Sequence, residues 1–138
     1  MENELENCLI MNTRMAARAV TRRADRKLRG FGVTSAQFNI LGVLSTGPAA
    51  SITDMAADLA MDRTTLSRNL AVLQRRKLVS TGAGEQARMR SIELTPEGRR
   101  IFESILPEWR NSQEELRNLL ANPDFQTILD GLRHLAKL

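Results

Sequence analysis

Residue types that support catalysis and covalent cross-linking are scarce in this sequence. The 138 residues include one cysteine, Cys8, one histidine, His134, and no tyrosine. One cysteine excludes an internal disulfide, and one histidine excludes histidine-rich metal sites and histidine-based catalytic triads. Glycine-rich phosphate loops, Cys-x-x-Cys pairs and paired-carboxylate motifs are also missing. An enzyme is therefore the weakest hypothesis, and we expect no cofactor and no metal.

Long hydrophobic runs are missing from the start of the chain. The longest early apolar run covers residues 9–11 and follows three acidic residues, Glu2, Glu4 and Glu6. A secretory signal needs a positively charged start and an apolar stretch of roughly 7–15 residues, and a membrane span needs about 20. The sequence therefore predicts a cytoplasmic protein with no membrane partner.

Basic residues outnumber acidic ones, and their distribution is uneven. Lysine and arginine total 20 against 16 aspartate and glutamate residues, a net charge of +4. Residues 1–30 carry seven basic and four acidic side chains, and residues 62–100 carry nine and four. Residues 31–61 and 101–138 are net acidic. Because a local positive patch attracts phosphates even when the total charge is small, this pattern favours a polyanionic partner over a small acidic substrate.

Apolar residues at helical spacing, interrupted by glycine and proline, predict a mainly α-helical chain. Thr34 and Gln37 fit a capping box, and Asp62 fits an N-cap. Four helices are expected in the first half of the chain: residues 3–28, Thr34 to the Gly47-Pro48 break, a short helix after Ser51 or Thr53, and Asp62 to about Arg76.

After residue 76 the apolar period changes from helical to alternating. Residues 78–81 and 91–94 are strand-like and flank a polar connection, which predicts a β-hairpin with a long tip. Thr95-Pro96 predicts a capped helix that Pro107 should kink, and Asn122-Pro123 repeats the cap-proline signal before a last helix.

A short helix, a turn, a second helix and a basic hairpin form a winged helix–turn–helix arrangement, which reads DNA. At about 100° per residue, the leucines of residues 62–76 share one face and leave an opposite face without acids, suited to a major groove about 12 Å wide. The candidate DNA-contacting residues are Arg63, Thr64, Thr65, Ser67, Arg68 and Arg75 on this helix and Arg88 and Arg90 on the hairpin. The alternative is an exposed helix that lacks acids by chance, with the hairpin arginines paired to Glu85 or Glu93.

The chain resembles the MarR family of bacterial transcription regulators over nearly its whole length. Residues 33–41 are similar to the family's second-helix opening, residues 62–70 to its recognition helix, and residues 88–99 to its wing-to-helix segment. The resemblance implies a homodimeric repressor that binds a pseudo-palindromic operator and is released by a small-molecule effector. It also implies a single domain, 1–138, with a winged DNA-binding module at about 34–100 and dimerisation helices at about 1–30 and 101–138.

Two positions depart from the family pattern. Gln86 stands where the family usually has an aspartate that braces the wing arginine. Lys77 stands where a glycine commonly follows the recognition helix, and a lysine with a left-handed backbone carries a steric cost.

The terminal segments carry more apolar surface than one winged module can cover. Trp109, next to Pro107 in the sequence, fits a buried junction between helices, since burying a large apolar side chain is worth roughly 1.5–3 kcal/mol. Two-fold symmetry would place two recognition helices about one DNA turn, roughly 34 Å, apart. The expected dimerisation residues are Leu5, Leu9, Trp109, Leu116, Phe125, Ile128, Leu132 and Leu135.

The first helix carries a stripe of like charge, Arg14, Arg18, Arg22 and Arg26. Like charges at this spacing are mildly destabilising, so the stripe requires water, acidic partners or an anionic ligand. Many members of the family sense phenolic or aromatic carboxylates, so the resemblance favours an anion of this class as effector. The candidate effector-binding residues are Met11, Met15, Arg18 and Arg22.

Two other functions remain open. A subgroup of the family senses organic hydroperoxides through a cysteine near this end of the first helix, and Cys8 could act in the same way. That subgroup surrounds its thiol with tyrosines, which this chain lacks, and the lack favours a buried, inert Cys8. The winged module could also serve protein contacts, with only weak DNA binding.

Overall fold

The structure is a computed structural model that describes residues 3–83 and 90–138, with the backbone alone at residues 82, 83 and 90. The chain divides into two units, Met1–Glu103 and Ser104–Leu138, and one helix continues from the first into the second. The elements in chain order are a 3₁₀ turn at Glu4–Asn7, α1 (Leu9–Leu28), a 3₁₀ turn at Arg29–Phe31, α2 (Ser35–Ser45), α3 (Ile52–Asp58), α4 (Arg63–Arg75), β1 (Val79–Ala83), β2 (Arg90–Leu94), α5 (Pro96–Leu119) and α6 (Phe125–Leu135). The predicted mainly helical fold with one hairpin is confirmed.

The first helix begins later than expected. Asn3 caps a separate 3₁₀ turn by accepting a hydrogen bond from the Leu5 amide at 3.1 Å, and the extended backbone of Cys8 separates this turn from α1. The Asn12 side-chain amide donates to the carbonyls of Glu6 and Cys8, at 2.8 and 2.9 Å. The prediction of one helix over residues 3–28 is therefore wrong at its start, because these side chains stabilise a break. Cys8 is half-buried at the break rather than buried.

The capping box predicted for α2 is present. The Thr34 hydroxyl accepts from the Gln37 amide at 3.2 Å, and Gln37 Oε1 accepts from the Thr34 amide at 3.1 Å. The Phe38 ring of α2 stacks on Phe102, with ring centroids 5.4 Å apart. The core of the first unit gathers buried residues from α2, α3, α4 and the hairpin: Ile40, Leu41, Leu44, Met55, Leu66, Leu73, Leu78 and Ile92.

The hairpin is antiparallel, and its register pairs Val79 with Leu94 and Ala83 with Arg90. Ala49, in the segment between α2 and α3, adds a bridge to the outer side of β2. Its amide and carbonyl each bond the backbone of Ile92 at 2.9 Å. Because Ile92 is also almost fully buried, the base of the hairpin is fixed to the helical part of the first unit.

The second half of the chain forms two amphipathic helices, the 24-residue α5 and the 11-residue α6. The Thr95 hydroxyl caps α5 by accepting from the Gly98 amide at 3.0 Å, as predicted, and Pro107 lies inside this helix without ending it. The predicted start of the last helix at Asn122 is wrong. The cap is Asp124, whose carboxylate accepts from the Thr127 amide at 2.7 Å and so begins α6 two residues later.

Across residues 3–83 and 90–138, none of the helices combines the length and the apolar character that a membrane-spanning helix requires.

Candidate nucleic-acid interface

The helix α4 presents one apolar and one polar face, as its sequence predicts. Leu66, Leu70 and Leu73 are buried, at 0%, 5% and 0% exposure. The side chains on the opposite face are exposed, and several of them border a shallow depression on the surface. These exposed residues are Arg63, Thr64, Ser67, Arg68, Ala71 and Arg75. Small and hydroxyl-bearing side chains between arginines let a flat or grooved polyanion approach the helix closely.

Asp62 holds the beginning of α4. One of its carboxylate oxygens accepts from the Thr65 amide at 2.8 Å and the other from the Thr65 hydroxyl at 2.6 Å. These hydrogen bonds, with a smaller contribution from the charge of Arg68, hold the pKa of the Asp62 carboxyl below its usual range. Asp62 therefore stays ionised.

The same cap fixes the position of Thr65, one of the candidate DNA-contacting residues. The Thr65 amide is bonded to Asp62 and is therefore not available to a phosphate. Thr65 itself is half-buried, and its hydroxyl points at the same carboxylate. Thr65 is therefore turned towards Asp62, and the part of α4 that is open to a ligand is the arginine-bearing face, which includes Arg63 and Thr64.

Both helices of the helix–turn–helix end in the same backbone motif. At the end of α3 the Met61 amide bonds the Ala56 carbonyl, and at the end of α4 the Leu78 amide bonds the Leu73 carbonyl, each at 2.9 Å. These are Schellman motifs, which place the residue after the helix cap in the left-handed region. Ala60 and Lys77 occupy those positions with φ of 48° and 59°. The left-handed backbone on which the expected steric cost of Lys77 depends is therefore present, and Ala60 adopts the same conformation.

Thr95 fastens the turn after α4 to the start of α5. Its hydroxyl donates to the Lys77 carbonyl at 2.6 Å, and its amide donates to the Leu78 carbonyl at 3.1 Å. Gly98 packs against the same turn so closely that a Cβ there would lie 2.0 Å from the Leu78 carbonyl oxygen. The end of α4 is thus held by contacts from a segment about 20 residues further along the chain.

The hairpin was predicted to add two arginines to the interface, Arg88 and Arg90. Glu85, Gln86 and Arg88 lie outside the described residues, and Arg90 is placed in β2 by its backbone alone. Arg88 and Arg90 stay predictions as DNA contacts.

The residues predicted for dimerisation are distributed between exposed and half-buried positions of the single chain. Leu5, Leu9, Trp109 and Leu132 are exposed, with Trp109 at 43%, and the other four are half-buried. The burial expected for Trp109 is therefore not provided by its own chain.

The candidate effector residues lie together on α1. Met15, Arg18 and Arg22 are exposed and Met11 is half-buried. Their spacing of three to four residues places them on one side of the helix. Among the residues that the structure describes, no group of three or more His, Cys, Asp or Glu side chains is placed to hold a metal ion.

The fold and the exposed face of α4 together define a winged helix–turn–helix protein. A model of the MarR family matches residues 31–88. The chain is 36% identical to the transcriptional regulator MosR of M. tuberculosis, solved in complex with DNA, with 94% of each chain covered and a TM-score of 0.84. It is 26% identical to the MarR family transcription regulator SP03579, with 97% of this chain and 89% of that chain covered and a TM-score of 0.77.

A relative of known sequence agrees with these matches. The HTH-type transcriptional regulator YwoH of Bacillus subtilis (strain 168) is 27% identical over 108 residues, which are 78% of this chain and 79% of YwoH. The chain belongs to the MarR family of transcription regulators. The relatives named here are regulators rather than enzymes.

Proposed function

We propose that this protein is a homodimeric repressor that binds a pseudo-palindromic DNA operator through α4 and the hairpin. The observation that carries the proposal is the outward face of α4, which is exposed, acid-free and arginine-bearing while the leucines behind it are fully packed. A helix whose inner face is already packed can enter a major groove without rearranging its own core. MosR, the relative at 36% identity, was solved with DNA, which supports the same ligand class here.

The exposed side chains of α4 suit different groups of the DNA because of their chemistry. Arg68 lies near the middle of the outward face, and its guanidinium can donate two parallel hydrogen bonds to one guanine edge. Arg75, at the last position of α4, and Arg63, at its first position, suit phosphates on either side of the groove. Thr64 and Ser67 add hydroxyls that bond either bases or phosphates.

The positions of the exposed apolar side chains support a homodimer. Among the described residues, the large apolar side chains that are strongly exposed all fall within residues 1–30 or 101–138, and Ile10 and Leu119 reach 72% and 67%. The winged module between these segments has none in its described part. A side chain that passes from full exposure to full burial gains roughly 1.5–3 kcal/mol, so covering several of these partly exposed side chains with a second copy favours a dimer.

The proposal includes regulation, in which a small anion releases the repressor from its DNA operator. Met11, Met15, Arg18 and Arg22 combine adaptable apolar contacts with positive charge on one side of α1, which suits an aromatic or phenolic carboxylate. Such a ligand would act by binding more tightly to a dimer whose α4 helices are wrongly spaced for DNA. Adding a hydroxybenzoate should then lower operator affinity, and Arg18→Ala with Arg22→Ala should remove that response.

Fluorescence anisotropy with duplexes selected from genomic DNA tests the DNA contacts. Arg68→Ala should weaken binding by about 1–3 kcal/mol on the selected operator and relax base preference at one position per half-site. Arg88→Ala should weaken binding to all duplexes alike and reduce its dependence on salt. Arg133→Ala is the control, because this exposed arginine lies on α6 and pairs with Asp130. An equal loss from Arg68→Ala on every duplex would contradict its base-reading role.

A further inference from the structure

The end of α4 is bonded to a distant part of the chain through Arg76. This residue is the C-cap of α4, and its guanidinium donates a hydrogen bond to the Gly32 carbonyl, 44 residues earlier. Gly32 closes the 3₁₀ turn between α1 and α2 with a left-handed φ of 71°. A Cβ on Gly32 would come within 3.2 Å of the Arg76 guanidinium. Glycine thus supplies both the bend and the space that the contact requires.

The same junction is also bonded to α1. Asp25, near the end of α1, accepts a hydrogen bond from the Ser35 amide at 2.7 Å, at the first position of α2. The segment of residues 29–35 is therefore held on one side by a carboxylate of α1 and on the other by a guanidinium from α4. Both bonds involve a charged partner, which makes them stronger and more directional than bonds between neutral groups.

We infer that Arg76 is a positioning residue for DNA binding, which fixes the end of α4 to the α1–α2 junction without contacting DNA itself. The leucines of α4 decide which face points inward, but apolar contacts are non-directional and resist a small pivot of the helix only weakly. A charged hydrogen bond at one end of the helix opposes that pivot. The inference rests on the proposed function, because positioning matters only if α4 meets a ligand of fixed geometry.

The alternative role for an exposed arginine at this place is a direct phosphate contact, and salt dependence separates the two. A phosphate contact releases counterions, so its loss lowers the slope of log affinity against log salt by about one for each copy, or about two for a dimer. Loss of a positioning bond lowers affinity by the same factor at every salt concentration. Anisotropy titrations of the full-length protein on its selected operator, at several salt concentrations, measure both quantities.

Four variants make the comparison. Arg76→Gln should weaken operator binding about tenfold, which is about 1.4 kcal/mol, with an unchanged salt slope, because the released α4 spends most of its time in orientations that do not fit the groove. Arg76→Lys keeps a donor of similar reach and should recover most of the affinity. Arg75→Gln, the neighbouring arginine on the outward face, should lower the slope. Asp25→Ala, which releases the junction from the other side, should reproduce the Arg76→Gln result.

The outcomes are distinct. An unchanged affinity for Arg76→Gln, or a slope reduced as in Arg75→Gln, overturns the inference. Hydrogen exchange of the DNA-free protein adds a second measurement. Arg76→Gln should speed exchange of the amides at residues 32–35 while the core amides of α2 stay protected, and equal protection at residues 32–35 also overturns the inference. Failure of the wild-type protein to bind any selected duplex would instead refute the proposed function.

Discussion

Replacing a glycine inside a helix with alanine usually raises the free energy of unfolding. Gly98→Ala should lower it instead, because Gly98 is in close contact with Leu78. A methyl group on Gly98 would lie 2.0 Å from the Leu78 carbonyl oxygen and 2.9 Å from the carbonyl carbon. Ordinary contacts between carbon and oxygen begin at about 3.3 Å, so the start of α5 and the turn after α4 must separate by about 1 Å. Neither side can give way alone, because the close atoms belong to backbone.

The expected cost follows from what the separation breaks. Overpacking costs about 1–3 kcal/mol, and the shift also strains the Thr95 amide bond to Leu78 and the Thr95 cap on the Gly98 amide, each worth about 1 kcal/mol. The higher helix propensity of alanine returns about 1 kcal/mol. The net expectation is that Gly98→Ala lowers the free energy of unfolding by about 2–4 kcal/mol.

Urea denaturation followed by circular dichroism, at a fixed protomer concentration, measures this change. Gly131→Ala is the matched control. Gly131 is an exposed residue inside α6, and an added Cβ meets no atom of this chain within 4 Å. The control should raise the free energy of unfolding by about 0.5–1 kcal/mol. A Gly98→Ala variant as stable as the wild type would refute the close approach.

Two further predictions concern the turn between α3 and α4. Ala60→Gly should stabilise the protein by about 0.5–1 kcal/mol in the same assay, because glycine adopts the left-handed backbone of this position without steric cost. As a control, Ala57→Gly inside α3 should destabilise the protein by a similar amount. A loss of stability from Ala60→Gly would contradict the left-handed assignment. Asp62, whose carboxyl pKa is lowered by Thr65, contributes stability that is complete above about pH 5 and is lost as the pH falls through the lower folded pKa. Asp62→Asn keeps a capping oxygen that does not titrate, so its stability should fall less between pH 5 and pH 3, and an identical acid profile for both proteins would count against this role.

The spacing of apolar residues and the capping residues within one helical turn predicted helices such as α2 and α4 correctly. The 3.6-residue spacing of the α4 leucines decided which face is buried, because any helix with that spacing must turn those side chains to the same side. The caps at Thr34, Asp62 and Thr95 were also predictable, since a cap needs only residues within one turn of it. The break before α1 was missed because Asn12 stabilises it by bonding carbonyls up to six residues away.

The sequence by itself therefore determined the order of helices and hairpin, the buried face of α4 and the chemistry of the opposite face. Only the tertiary structure decided how α4 is held at its end, by Arg76 on the Gly32 carbonyl and by Thr95 on the Lys77 carbonyl. These bonds join residues 44 and 18 positions apart and use backbone carbonyls as acceptors. Every residue carries such a carbonyl, so no side-chain pattern marks the partner, and only the folded path of the chain selects it.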